Sequence, residues 1–418
     1  MRKGISAVRQ NQGNVMVSKR KYIRGIIISV LVTVLLIVAG GAVFFKYADV
    51  YGVIAQLSGN KSPVVKLESI LKSVMNGHIK ELDEETLVDA AIKGMLKAVD
   101  DPYTYYLNSD EYDSFFSSKN PTFTGIGVSV DLEAYTDSVL VKEVYKESGA
   151  FVAGIKADDR IVAVNGVRCT ADNKDEMLAQ AKGEEGTWVK VTVLRDSEEM
   201  EFEVERRTVR IELAVSNIYN DSIGYIRLRS FQVAAEGDFN KLLEELLENN
   251  ITGLIVDLRG NGGGYKDVAV RLADHFIPKG TVYKSVNNKG VVDSDTSSGN
   301  MINIPFVLLV DGNSASASEL FAGAVQDYGT GLLIGTKTFG KGIVQYTYRL
   351  SDGSYYQYTA ETWLTPNGRY IHEIGLTPDI TVEMDEETVS YIDSHPTLIP
   401  STDYDKQLAA AIEALSEK

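Results

Sequence analysis

Residues 305–345 read PFVLLVDGNSASASELFAGAVQDYGTGLLIGTKTFGKGIVQ, and the fold turns on how that run divides. The apolar run from Pro305 to Val310 has the length and the bounding turn of a buried strand. Asp311-Gly312-Asn313 makes the turn, and three serines separated by alanines follow: Ser314, Ser316 and Ser318. From Glu319 onward Leu320, Phe321, Ala324, Val325 and Tyr328 recur at helical spacing. Strand, tight turn, small residues and helix together are able to hold a serine hydroxyl at a helix N-terminus, where free N–H groups favour a developing oxyanion. A serine without an attached base is a poor nucleophile, so something must take its proton. None of the four histidines (His78, His275, His372, His395) lies in this stretch, whereas Lys341 stands 25 residues after Ser316, between two glycines. For lysine to act as the base, its pKa must fall from about 10.4 to roughly 7–8, about 3–4 kcal/mol in favour of the neutral amine. Phe339 and Ile343 offer apolar cover for that. Local chemistry alone leaves a plainer reading open, in which Ser316 caps a helix and Lys341 is a loop lysine.

A nucleotide-binding reading competes for the same residues. Residues 335–341, GTKTFGK, match the first seven positions of a P-loop after the strand-like Leu332-Leu333-Ile334. The eighth position should carry a Mg²⁺-binding hydroxyl and is Gly342. A P-loop also opens a helix, but residues 343–348 alternate and are β-branched and aromatic. The reading fails on both counts.

SASASELFAGAVQDYG followed by GTKTFGKGIVQ resembles the signature of the carboxy-terminal processing (tail-specific) serine proteases. The resemblance implies a mixed α/β protease core of the ClpP/crotonase-like type, with an inserted PDZ domain and a Ser/Lys dyad. It makes Ser316 the nucleophile, Lys341 the base and Gln345 the residue that orients the lysine. The run DLRGNGGG at 257–264 follows a buried strand over 251–258 and does not give GxGxxG, because Tyr265 stands where the third glycine belongs. In the family this run supplies an oxyanion-hole N–H; Gly264 is the best match, with the Ala317 N–H as second donor. Residues 355–379 resemble the family's closing TPxGxxI…GxxPD motif, and His372 within it is read as structural. Glu319 and Asp327 match acidic family positions and are read as supports for the helix or nearby backbone.

Charge is divided unevenly along the 418 residues: residues 1–24 hold seven Lys/Arg and no acid, which leaves 35 basic against 58 acidic residues in the remainder. A body of net charge −23 argues against nucleic-acid binding. Residues 25–45, GIIISVLVTVLLIVAGGAVFF, are uncharged; at about 1.5 Å per residue they span the roughly 30 Å of a hydrocarbon core. The basic residues before them place the N-terminus in the cytoplasm and the rest outside. The run exceeds the usual 7–15 apolar residues of a cleaved signal, so a signal-anchor is expected. Ser58 to Lys61 also fits a SxxK pattern but sits in a polar linker with nothing to form an oxyanion hole.

Residues 64–99 read as helix, and DPYTYYL at 101–107 breaks it with an aromatic cluster read as packing. Residues 123–207 look like a PDZ domain, with Gly125-Ile126-Gly127-Val128 in the place of the loop whose N–H groups capture a peptide C-terminus. Residues 188–195 alternate as an edge strand, Arg195 at its end reads as exposed, and the lone Cys169 reads as a core residue. The expected organisation is a cytoplasmic basic tail (1–24), transmembrane anchor (25–45), linker and helical region (46–117), PDZ domain (118–207), protease core (208–385) and an acidic tail (386–418), helical from Asp405 to Leu415 and without chemistry. The expectation is a membrane-anchored, extracytoplasmic serine endopeptidase that acts on proteins with accessible C-termini and needs no metal or organic cofactor. A homodimer is implied by resemblance alone. The competing class is a non-catalytic, membrane-anchored PDZ scaffold.

Overall fold

The computed structural model describes Ile28 and residues 30–36, 62–117, 121–132, 135–290, 292–395 and 398–416. Two units result, residues 1–94 and 95–418. Of the expected membrane segment only Ile28 and residues 30–36 are described; they are helical and exposed. Among the described residues no helix is long and apolar enough to cross a membrane. The basic tail and the SxxK residues 58–61 lie outside the described residues. The helical reading of 64–99 resolves into two helices, Pro63–Gly77 and Glu84–Lys97, with proline where the first turn needs no N–H donor. Both are amphipathic, and neither contains a buried residue.

In the second unit the strands Val128–Asp131, Val139–Val144, Arg160–Val164, Trp188–Arg195 and Glu198–Glu205 form an antiparallel sheet in that order. Alternate residues of Val139–Val144 are buried, and Val139, Val141, Ile161, Val191 and Val193 make a core closed by Met177. Cys169 joins this core, where burial pushes its thiol up. Trp188–Arg195 is not an edge strand: it pairs with Arg160–Val164 on one side and Glu198–Glu205 on the other. The true outer strand, EEMEFEVE, escaped the sequence reading because its charged positions hide the alternation. Charges of this kind also protect an open sheet edge from pairing. Arg195 is not a free surface arginine either. It donates to both oxygens of buried Asp159, at 2.6 and 2.7 Å, and to the Gly154 carbonyl. The ribbon of Thr122–Gly125 on Arg207–Arg210 ties the two ends of this domain together, as an insertion requires.

The core beyond it is a six-stranded sheet in the order Ala214–Tyr219, Ile223–Leu228, Gly253–Asp257, Phe306–Val310, Leu332–Gly335 and Ile380–Thr381. The first pair is antiparallel and the rest are parallel. Gly253–Asp257 and Phe306–Val310 are buried at every position, which is why they read as continuous apolar runs. Helices Val233–Glu248, Lys266–Ala273 and Ala317–Tyr328 contribute Phe239, Leu272 and Phe321 to the core on one face. A second sheet joins Tyr105–Leu107, Tyr355–Leu364, Gly280–Asn287 and Val292–Ser297, with Ile343–Arg349 also on Tyr355–Leu364. Ile343–Arg349 being a strand removes the P-loop on structural grounds too.

The C-terminal tail holds the helix expected near 405–415, but it is part of the core and not an appendage. Helix Lys406–Ser416 covers the opposite face of the six-stranded sheet, burying Leu408, Ala411, Ile412 and Leu415 against Tyr225, Ile255, Val307 and Leu309. Asp405, just before it, meets the buried Arg259 guanidinium at 2.8 and 3.0 Å, and Asp257 meets the same guanidinium at 2.6 Å. Burial alone would raise the Asp257 carboxyl, but the charge and hydrogen bonds of Arg259 together with the charge of Arg227 outweigh it and hold the group below the usual carboxylate range. The tail thus anchors the start of the glycine run.

Candidate active site

Three loops converge at the carboxyl ends of three adjacent parallel strands: residues 258–264 after Gly253–Asp257, 311–316 after Phe306–Val310, and 336–341 after Leu332–Gly335. That is where open α/β sheets place their sites. Ser316 is half-buried and held at φ 56°, ψ −112°, a conformation that a residue with a Cβ adopts only at a cost of about 1–3 kcal/mol. The surroundings bear that strain because the loop is fixed on every side. The Asp311 carboxylate accepts from the N–H groups of Gly260, Asn313 and Ser314.

Choosing among the three serines was beyond local sequence chemistry, and the hydrogen bonds supply the choice. Fully buried Ser314 donates its hydroxyl to the Leu258 carbonyl at 2.8 Å, and fully buried Ser318 donates to the Asn261 carbonyl at 2.8 Å. Both are staples between the serine loop and the glycine run. Ser316 sits between them at the N-cap of Ala317–Tyr328.

Glu319 is the hub. Entirely buried, its Oε2 accepts from the Ser316 N–H at 2.9 Å and the Lys341 N–H at 2.8 Å. Its Oε1 accepts from the Thr338 hydroxyl at 2.6 Å and the Gly340 N–H at 2.7 Å. One carboxylate therefore sets the backbone of both Ser316 and Lys341, a sharper role than the general support expected of it. Phe339 N–H donates to the Ser314 carbonyl at 3.1 Å, a second tie between the two loops. Phe339 itself does not cover the lysine as expected: its side chain is exposed, while Ile343 is buried. Asp327, the other acid on the helix, grips the closing motif through the Asn367 N–H at 2.7 Å and Arg369 at 2.6 Å.

Around Lys341 the structure departs from expectation. Its Nζ lies over the Tyr103 ring, 4.1 Å from the centroid. Gln345, expected to orient it, donates its amide to Thr359 Oγ1 at 3.4 Å. His372 stays clear of the serine's role and places Nδ1 3.3 Å from the Gly340 carbonyl. No spacing rule separates Tyr103 from the packing aromatics of 101–107, because it reaches the site from a loop more than 200 residues away in sequence.

On the oxyanion side the backbone donors divide into spent and unspent. Ala317 opens its helix, so its N–H has no acceptor within the helix. Gly264 N–H has no acceptor among the described residues, whereas Gly263 N–H is spent on Asn261 Oδ1 at 2.9 Å. Both glycines lack room for a side chain, but Gly263 is the one packed on the serine loop: at φ 102°, a Cβ there would stand 2.9 Å from both Ser316 Cβ and the Ala317 nitrogen, whereas one at Gly264 would meet the Phe231 backbone.

A profile described as peptidase family S41 matches residues 222–382, one for a PDZ domain matches 124–205, and one described as the activating protease CtpB N-terminal domain matches 47–111. A "Probable CtpA-like serine protease" of Staphylococcus haemolyticus (strain JCSC1435) is 32% identical over 399 residues, covering 93% of this chain and 79% of that protein. The chain belongs to peptidase family S41. A like-named protein of Staphylococcus aureus (strain N315) is 36% identical over 322 residues, 76% of this chain; the chain spans 64% of that relative's length. A solved structure from Bacteroides fragilis NCTC 9343, assigned to the S41 proteases, superposes with a TM-score of 0.55 at 16% identity, covering 78% of this chain and 90% of that one. That likeness speaks for the fold.

In the S41 setting the PDZ groove lies between Val128–Asp131 and helix Lys174–Ala179, a cavity of about 390 Å³ lined by Phe123, Ile126, Val130, Leu178 and Lys182. Of the loop residues Gly125, Ile126, Gly127 and Val128, all line it. The Ile126 N–H, however, is already donated to the Ala181 carbonyl at 3.2 Å. The loop therefore offers fewer open donors than four matching residues imply.

Proposed function

We propose that this chain is a membrane-anchored, extracytoplasmic serine endopeptidase working through a Ser316/Lys341 dyad. The observation that carries the reading is the Glu319 carboxylate holding the Ser316 and Lys341 N–H groups together at 2.9 and 2.8 Å. Ser316 Oγ attacks a peptide carbonyl, neutral Lys341 takes its proton and later returns it to the leaving amine. Ala317 and Gly264 N–H groups receive the oxyanion, each worth about 10²–10³ in turnover. Gln345 fixes the strand beside the lysine through Thr359, and no metal or organic cofactor enters the scheme.

The anchor rests on the uncharged residues 25–45 behind a basic tail. The PDZ groove takes a substrate's or partner's C-terminus and regulates the dyad. In support, PDZ residue Glu143 pairs with Arg229 at 3.5 Å, and the next residue, Ser230, donates to the Gly263 carbonyl. The PDZ domain and the oxyanion loop are thereby linked by one short run of residues. Exposed Val64, Leu67 and Ile70 on Pro63–Gly77 support pairing of two subunits.

The test incubates the full chain in detergent micelles with casein at pH 7–9, beside Ser316→Ala, with and without peptides ending in free carboxylates. Cleavage by wild type alone, raised by peptide, is the expected result. Peptide binding with no cleavage under any condition would instead identify a scaffold.

A further inference from the structure

We propose that Tyr103 is a positioning residue for the base: its ring is the seat of the Lys341 ammonium, and it sets both the place and the basicity of that lysine. The inference rests on reading Lys341 as the base. An ammonium 4.1 Å from a ring centroid is well within the roughly 6 Å at which the negative face of a π-system attracts a cation.

The seat is built. Tyr103 N–H donates to Asp101 Oδ1 at 2.9 Å, and its carbonyl accepts from Gln357 Nε2 at 2.8 Å. Thr104 donates its hydroxyl to Asp101 Oδ2 at 2.6 Å and accepts from the Thr359 N–H at 3.2 Å. Tyr105 then enters the sheet opposite Gln357. The strand that holds the ring in place is the strand that receives Gln345, so ring, glutamine and lysine share one frame. Burial works to raise the Asp101 carboxyl, but hydrogen bonds from Thr104 and Thr359 and the charge of His372 outweigh it, so Asp101 stays a firm acceptor for the loop.

A π face favours the ammonium over the amine. Placement of the lysine therefore comes at the expense of its basic form, and removing the ring lowers the pH at which Lys341 deprotonates. Charged and titratable neighbours also face this lysine. Glu319 binds its N–H, His372 touches the Gly340 carbonyl, and Glu373 N–H donates to that same carbonyl. Asp101 lies behind Tyr103, and Glu361 stands opposite Val344 on the paired strand. All stay constant across a Tyr103 series, so differences within the series report the ring.

The experiment records kcat/KM on casein from pH 6 to 10 for the full chain in micelles, with Tyr103→Phe, Tyr103→Leu, Tyr103→Trp and Lys341→Ala, each checked by thermal melting. Tyr103→Phe should keep the wild-type acid limb. Tyr103→Leu should move it about 0.5–1.5 pH units lower and reduce the plateau, and Tyr103→Trp should move it higher. Superimposable acid limbs for Phe, Leu and wild type, with Lys341→Ala inactive, would overturn the role of Tyr103 and leave the base intact. Activity with an unchanged acid limb in Lys341→Ala would instead overturn the base itself. If the leucine variant does not fold, the ordering of Trp against Phe decides.

Discussion

Glu319→Gln is expected to lower kcat/KM by at least 10²-fold while leaving a folded protein of reduced stability. Glutamine keeps the volume but turns one acceptor oxygen into a donor. Four donors face that carboxylate: the Ser316, Gly340 and Lys341 N–H groups and the Thr338 hydroxyl. Whichever way the amide turns, two of them meet an N–H₂ group. Each buried donor left unpaired costs about 1–3 kcal/mol, and the loss falls on the backbone that sets Ser316 and Lys341, the proposed nucleophile and base. A misplacement of about 1 Å between reacting groups costs on the order of 10²-fold. Glu319→Asp should fare no better, since a shorter side chain cannot span both loops. Steady-state rates beside melting curves check this. A folded Glu319→Gln within threefold of wild type would show that the carboxylate is not the link between the two loops.

Gly263→Ala is expected to remove about 10²–10³ of turnover, and Gly262→Ala to remove almost none. At Gly263 the backbone has φ 102°, and a methyl group would lie 2.7 Å from the Ala315 carbonyl and 2.9 Å from the Ala317 nitrogen. Something must shift, and what shifts is the serine loop or the oxyanion donors. At Gly262 no atom lies within 4 Å of the added carbon. The two variants differ by one position in the chain, so a common defect in folding or expression cannot imitate the contrast. Equal activities would mean that the glycine run does not pack on the nucleophile as its geometry requires.

The strand at 306–310 and the helix after it were legible because periodicity and turn residues agree there. Rejection of the P-loop was legible from Gly342 and the alternation after it. Which serine stands free was not, because Ser314 and Ser318 are spent on carbonyls 56 and 57 residues distant in sequence. The same limit explains Gly263. Sequence motifs point to Gly264 as the donor, but the glycine with no room for a side chain beside Ser316 is found only once the loops meet. Residues 386–418 read as an acidic tail because composition cannot show that Asp405 neutralises a buried arginine or that Leu408 and Leu415 complete the sheet's second face. Tyr103 was hidden for the same reason: its partner is Lys341, and nothing local to either residue names the other.

The most direct test of the account is active-site labelling with a fluorophosphonate, followed by intact-mass and peptide-level mass spectrometry. Wild type, Lys341→Ala and Ser316→Ala would be labelled side by side at pH 8. One adduct on Ser316 in wild type is predicted, slowed by orders of magnitude in Lys341→Ala and absent in Ser316→Ala. An adduct on Ser314 or Ser318, or undiminished labelling of Ser316 without Lys341, would contradict the dyad.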